Sequence, residues 1–213
     1  MPDHRVRYAT HQCPSFYEEP YVPTTPVVCF DAQSCRLLSE VRDPLPVKPS
    51  KAARFDSEYR RRGTAHVLMA FEPLAGWRRV SVSKHRRKRE FAEFMRYLAE
   101  EAYPQADGVR VVMDNLNTHT KAAFYEFFEV ERARRLARKL EFVYTPVHGS
   151  WLNMVEIELS VLVRQCLPDM DILECEVEAW EAERNDSEAY VDWRFTTPEA
   201  RKKLRRLYPS IDD

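Results

Sequence analysis

Three carboxylates in this sequence stand where chemistry could be done. Asp31 closes the short apolar run Pro26-Val27-Val28-Cys29-Phe30, and Asp114 closes Val109-Arg110-Val111-Val112-Met113. Such runs read as buried strands. An acid at the C-terminal end of such a strand stands at the edge where open α/β sheets place their sites. The third, Glu156, follows Ser150, which suits the cap of a helix running from Trp151 to about Leu167, where Pro168 stops it. Leu152, Val155, Leu159, Leu162 and Cys166 form the apolar stripe of that helix, and Glu156 borders the side that faces the sheet. Glu158 lies about 200° further round the axis. It is therefore expected outside the site, with Glu158→Gln leaving activity largely intact.

Three carboxylates converging beside an apolar core repel one another and keep raised pKa values unless a cation compensates them. Hard divalent ions do so, because Mg²⁺ takes a few carboxylates together with water and phosphate oxygens. Two such ions about 4 Å apart activate a nucleophile and stabilise the leaving oxygen of a phosphodiester. The same positions also suit capping or turn residues, and spacing alone does not decide between the two.

Other chemistries are excluded by count. The four glycines, Gly63, Gly76, Gly108 and Gly149, are too far apart for a phosphate-cradling loop or a dinucleotide fingerprint. Cys13, Cys29, Cys35, Cys166 and Cys175 form no C-x-x-C pair and read as free thiols of a reducing compartment. His11 and Cys13 have no second ligand pair, so no zinc site is expected.

In 213 residues, 44% hydrophobic and 31% charged, the balance is that of a globular protein of one domain, or of one domain with a small appendage. No apolar run approaches the roughly 18 residues that a membrane-spanning helix needs. The net charge of −1 hides four basic clusters: 60–62, 84–89, 132–139 and 201–206. Each suits a solvated face; together they lean toward a polyanion partner.

The elements that must position the carboxylates follow from periodicity. Residues 1–25 lack a clear period, and 43–50, with three prolines, read as a loop. Thr64–Phe71 and Trp77–Ser83 read as a hairpin, and Glu90–Tyr103 as a helix ended by Pro104. Residues 120–140 are helical in two pieces, Phe142–Tyr144 is a strand, and helices follow near Leu173–Arg184 and Pro198–Leu207. This order describes an α/β fold, a sheet with helices on its faces.

Two segments carry a resemblance. Val111 to His119, containing D-N-L-N-T-H, and Tyr144 to Glu156, containing T-P-x-H-G-S-W-L-N-x-x-E, resemble the DDE transposases of the bacterial insertion-sequence 630 branch, within the mariner-like superfamily. The likeness continues through Phe71 to Arg78 and Asp192 to Thr197 and spans most of residues 21–209. It implies an RNase H-like mixed sheet flanked by helices, with Asp31, Asp114 and Glu156 as the catalytic, metal-holding triad. It also implies two Mg²⁺ or Mn²⁺ ions, cleavage of transposon-end DNA, and attack of the freed 3′-hydroxyl on target double-stranded DNA. Asp31 and Asp114 would share the metals, and Glu156 would hold the second one and orient the attacking group. Neither a covalent DNA intermediate nor ATP is expected.

Two departures accompany the resemblance. The family's first Asp is usually followed by Glu, and here by Ala32. Family members carry helix-turn-helix segments ahead of the catalytic domain, and barely 25 residues precede the first strand here. The expected organisation is an irregular arm (1–20), the catalytic domain (21–167) and a helical extension (168–213). The resemblance implies a homodimer that joins the two element ends, or a neighbouring-frame product that carries the domain reading the terminal repeats. Arg86, Arg87 and Lys88 are candidates for tracking a DNA backbone. His119 and His148 suit phosphate or metal-ligand support, or plain local hydrogen bonding. Trp151, Trp180 and Trp193 suit packing. The expected location is the bacterial cytoplasm, at the nucleoid. The rival reading is a truncated, non-catalytic remnant that binds DNA or a full-length transposase without cutting.

Overall fold

The computed structural model describes residues 17–40, 59–145, 152–165 and 170–191, with Glu199 and Lys202. Five strands form one mixed sheet in the order β3-β2-β1-β4-β5. They are β1 (Val27–Glu40), β2 (Tyr59–Glu72), β3 (Trp77–Ser83), β4 (Val109–Met113) and β5 (Leu140–Tyr144). The first three run antiparallel to one another, while β4 joins β1 and β5 joins β4 in parallel.

Alternation along β1 divides the core into two layers. Val28, Phe30 and Ala32 pack with α1 (Lys88–Tyr97), α2 (Ala122–Phe127) and α3 (Val130–Lys139). Cys29, Cys35 and Leu37 pack on the other face, with α4 (Val155–Gln165) and α5 (Met170–Asp186). Asp31 has the parity of Cys29, so it takes a place that would otherwise hold a core residue beneath α4.

The expected order of elements is present, with three corrections. β1 does not stop at Asp31. Its ladder with β2 continues from Asp31↔Met69 to Glu40↔Tyr59, and Cys35 and Leu37 stay buried beyond the acid. Asp31 is therefore a mid-strand residue, and β2 begins at Tyr59 rather than near Thr64 to match this length. A bulge between Leu37 and Leu38 lies opposite Gly63, whose φ of +132° favours glycine. Secondly, α4 begins at Val155 rather than Trp151, because the side chain of Asn153 is bound to β1 before the first turn forms. Thirdly, α1 passes at Leu98–Ala102 into a π-helical turn, within the single helix expected over 90–103. The expected loop at 43–50, the Ser150 cap and all but two residues of the helix near 198–207 lie outside the described residues.

Strand β3 is an edge strand, and α5 covers that edge. The Arg78 N–H donates to Asn185 Oδ1 at 2.8 Å, Asn185 Nδ2 returns a bond to the Arg78 carbonyl at 2.8 Å, and the Val80 N–H donates to Glu181 Oε2 at 2.6 Å. Side chains thus satisfy backbone groups that would otherwise invite another strand. Trp180 is buried in this layer, as a packing residue should be. Tyr17, inside the expected arm, is buried too, its hydroxyl donating to the Leu152 carbonyl at 3.1 Å. Among the described residues, no helix is long and apolar enough to cross a membrane.

Candidate active site

Strand register brings the two aspartates together. Val27, Val28 and Cys29 pair with Arg110, Val111 and Val112, and continuing that register sets Asp31 level with Asp114, where β1 and β4 part. Both acids share the parity of residues that pack beneath α4, Cys29 and Val112. Asp114 is partly exposed, and its Oδ1 lies 2.8 Å from Nδ1 of His119. The His119 ring is buried, stacked on Phe91 at 4.8 Å and edge-on to Phe30 at 5.3 Å. The Tyr144 hydroxyl donates to the His119 carbonyl at 2.9 Å, which ties the D-N-L-N-T-H segment to the end of β5. His119 is thus a support for a carboxylate, and His148 lies outside the described residues.

Asn153 connects the third acid to the sheet. Its buried Nδ2 donates to the Phe30 carbonyl, one residue before Asp31, at 2.9 Å. Its own carbonyl accepts from the Glu156 N–H at 3.1 Å, opening α4. Glu156 is therefore set over β1 by a residue that reasoning from periodicity passed over. The signal was there in the W-L-N-x-x-E segment, because a polar Asn inside an apolar stripe needs a partner.

Asp31 and Glu156 face a cleft of about 370 Å³, with Gln33, Ser34, Ser160 and Arg86 also in its walls. Arg86 Nη1 donates to the Ala32 carbonyl at 2.9 Å, which holds the guanidinium at the rim. Of the three basic candidates, only Arg86 lines this cleft. Arg87 precedes α1, its N–H donating to Glu90 Oε2 at 3.0 Å, and Lys88 pairs with Glu126 at 2.5 Å. A second cleft of about 310 Å³, between β3 and α1, includes Arg79 and Glu93 but none of the three acids.

The carboxyl of Asp31 titrates high, near pH 6 rather than 3.8. Burial is the main cause; the Ala32 N–H, 2.6 Å from Oδ1, opposes it, and the charges of Asp114 and Glu156 add to it. The three acids therefore share one electrostatic neighbourhood. Among the described residues, however, no three His, Cys, Asp or Glu side chains stand close enough together to hold a metal ion. Cys29 and Cys35 are buried free thiols and Cys175 is an exposed one; burial pushes the Cys29 thiol up to about 11, which keeps it protonated and inert.

A mixed sheet with three antiparallel strands, two parallel ones, and helices on both faces defines an RNase H-like fold. The chain belongs to the DDE superfamily endonucleases, whose family model matches residues 26–174. Solved structures agree on the fold. A pre-cleavage Mos1 transpososome superposes with a TM-score of 0.58 at 12% identity, over 97% of this chain and 65% of the other. The Mos1 mariner paired end complex with Mn gives 0.52 at 13% identity, over 95% and 59%. The chain thus spans about six-tenths of the length of these transposase structures. No curated protein sequence matches it.

Proposed function

We propose that this chain is the catalytic domain of a DDE transposase of the bacterial insertion-sequence 630 branch. It would cut transposon-end DNA and join the freed 3′-hydroxyl to target DNA. The observation that carries this reading is Asp31 and Glu156 in one cleft rimmed by Arg86, with Asp114 level with Asp31 in the continued register of β1 and β4. The D-N-L-N-T-H and W-L-N-x-x-E segments support the branch. Repeat recognition would fall to a module outside the described residues, with a second copy joining the two transposon ends at the nucleoid.

By the resemblance, Asp31, Asp114 and Glu156 would hold two Mg²⁺ or Mn²⁺ ions, although in this structure the three do not stand close enough together to hold one between them. All three donors are hard carboxylates of the kind such ions take, and Asp31, raised chiefly by burial, also feels the charges of Asp114 and Glu156. Bound there, the ions would supply activation of a water or 3′-hydroxyl and stabilisation of the leaving oxygen. The chain's own contribution is orientation. His119 holds Asp114, Asn153 holds the start of α4 and with it Glu156, and Arg86 offers a planar fork to a phosphate entering the cleft.

Nicking of supercoiled plasmid by the purified chain in Mn²⁺ tests this reading. Cutting that needs the metal is expected. Metal binding without any cutting favours the non-catalytic remnant, for which Ala32 in place of the family's Glu is the supporting feature. Arg86→Ala is expected to weaken DNA binding and to make log K against log salt shallower by about 0.9, the loss of one phosphate contact. An unchanged slope in a filter-binding titration would remove Arg86 from the DNA path.

A further inference from the structure

We propose that Arg78, Glu158 and Arg184 form a buried ionic clamp that fixes the height and rotation of α4 and so positions Glu156. The proposal rests on the catalytic reading above. Arg78 is fully buried, and its two Nη groups donate to the carbonyls of Gly76 (2.8 Å), Arg184 (2.9 Å) and Ala189 (2.6 Å). Its Nε lies 3.0 Å from Glu158 Oε2 but off the line of the N–H, so that contact is an ion pair rather than a hydrogen bond. Glu158 is 3% exposed, and its Oε1 accepts from Arg184 Nη2 at 2.8 Å. The Arg78 guanidinium also lies over the ring of Phe71, 4.7 Å from its centre. One carboxylate therefore joins α4 to β3 and to α5, and Arg78 carries the link on to Gly76 in the β2–β3 turn.

Stability alone does not explain this arrangement. A buried ion pair is often no more stabilising than apolar groups of the same volume. What it supplies is direction, because the charges meet at only one setting of the helix. Glu158 follows Glu156 by two residues, about 200° round the axis. A rotation of α4 that releases Glu158 therefore carries Glu156 out of its place beside Asp31. Both residues border the apolar stripe of α4, on its opposite edges, and Glu158 is the buried one. The expectation that Glu158→Gln is nearly silent treats that edge as dispensable, and the burial of Glu158 against Arg78 argues against it. Glu158 is a positioning residue and touches neither substrate nor metal.

The test compares wild type with Glu158→Gln, which is isosteric, and with Arg184→Gln. The Arg184 side chain is 32% exposed, so its replacement puts less of the fold at risk. Both variants are expected to fold by circular dichroism and to bind plasmid DNA with unchanged KM. Their kcat should fall about ten- to a hundredfold, the scale of a small misplacement of a reacting group. Calorimetric affinity for Mn²⁺ should fall with it, which a role in stability alone would not produce. A folded variant with wild-type kcat and Mn²⁺ affinity overturns the clamp; should Glu158→Gln not fold, Arg184→Gln decides. A wild type that neither binds Mn²⁺ nor cuts overturns the catalytic reading, and the clamp with it, whereas cutting by wild type and variants alike removes the clamp only.

Discussion

Glu156→Gln and Asp114→Asn are each expected to abolish metal-dependent strand cleavage and to leave the fold in place. Glu156 is half-buried at the start of α4, so an isosteric amide there should move stability by no more than about 0.5 kcal/mol. Asn at 114 keeps a carbonyl oxygen for the buried His119, which Ala would leave without its acceptor at a cost of about 1–3 kcal/mol. The loss in rate is far larger. A carboxylate that holds a catalytic cation carries several kcal/mol of transition-state charge stabilisation, so a fall on the order of 10³-fold or more is expected. Single-turnover cleavage in Mn²⁺, with circular dichroism on the same samples, measures both effects. Wild-type rates in a folded variant would take that residue out of the triad.

Asp31→Asn is expected to make the metal-free chain more stable at neutral pH. The folded-state pKa of Asp31, about 6, lies above its ordinary value of 3.8. In that interval the folded chain binds more protons than the unfolded one, so stability falls as pH rises from about 4 to about 6. The deficit is absent below that window and complete above it. About two pKa units correspond to at most about 3 kcal/mol, or about 6–12 °C in Tm for a chain of this length. The Asn side chain can still accept from the Ala32 N–H, so the change isolates the charge. Thermal unfolding in a chelator at pH 4 and pH 7 is the measurement: the variant should match wild type at pH 4 and exceed it at pH 7. Added Mn²⁺ should raise the wild-type Tm and close the gap. A difference independent of pH would mean that the buried charge of Asp31 is not its cause.

Local pattern made the strands legible, and pairing over long distances limited that reading. The run before Asp31 is apolar enough to identify β1, but how far the strand continues depends on β2, about 40 residues away. Asp114 was easier, because β4 is short and ends where its register with β1 ends. The stripe on α4 fixed the side of Glu156, whereas the start of the helix depends on the bond from Asn153 to the Phe30 carbonyl, which no period encodes. Glu158 shows the same limit in energetic form. Periodicity says which way it faces, but only the fold reveals Arg78 in front of it. Within the 84–89 cluster the charges look equivalent in sequence, and only backbone geometry separates Arg86 at the cleft from Lys88 beside Glu126.

We propose that Asp31, Asp114 and Glu156 form one divalent-cation site. Calorimetric titration of Mn²⁺ into wild type and into the Asp31→Asn/Asp114→Asn double variant tests it without relying on cleavage. Saturable binding to the wild type that disappears in the folded double variant is the expected result. Equal binding by both proteins, or no binding by the wild type, would contradict it.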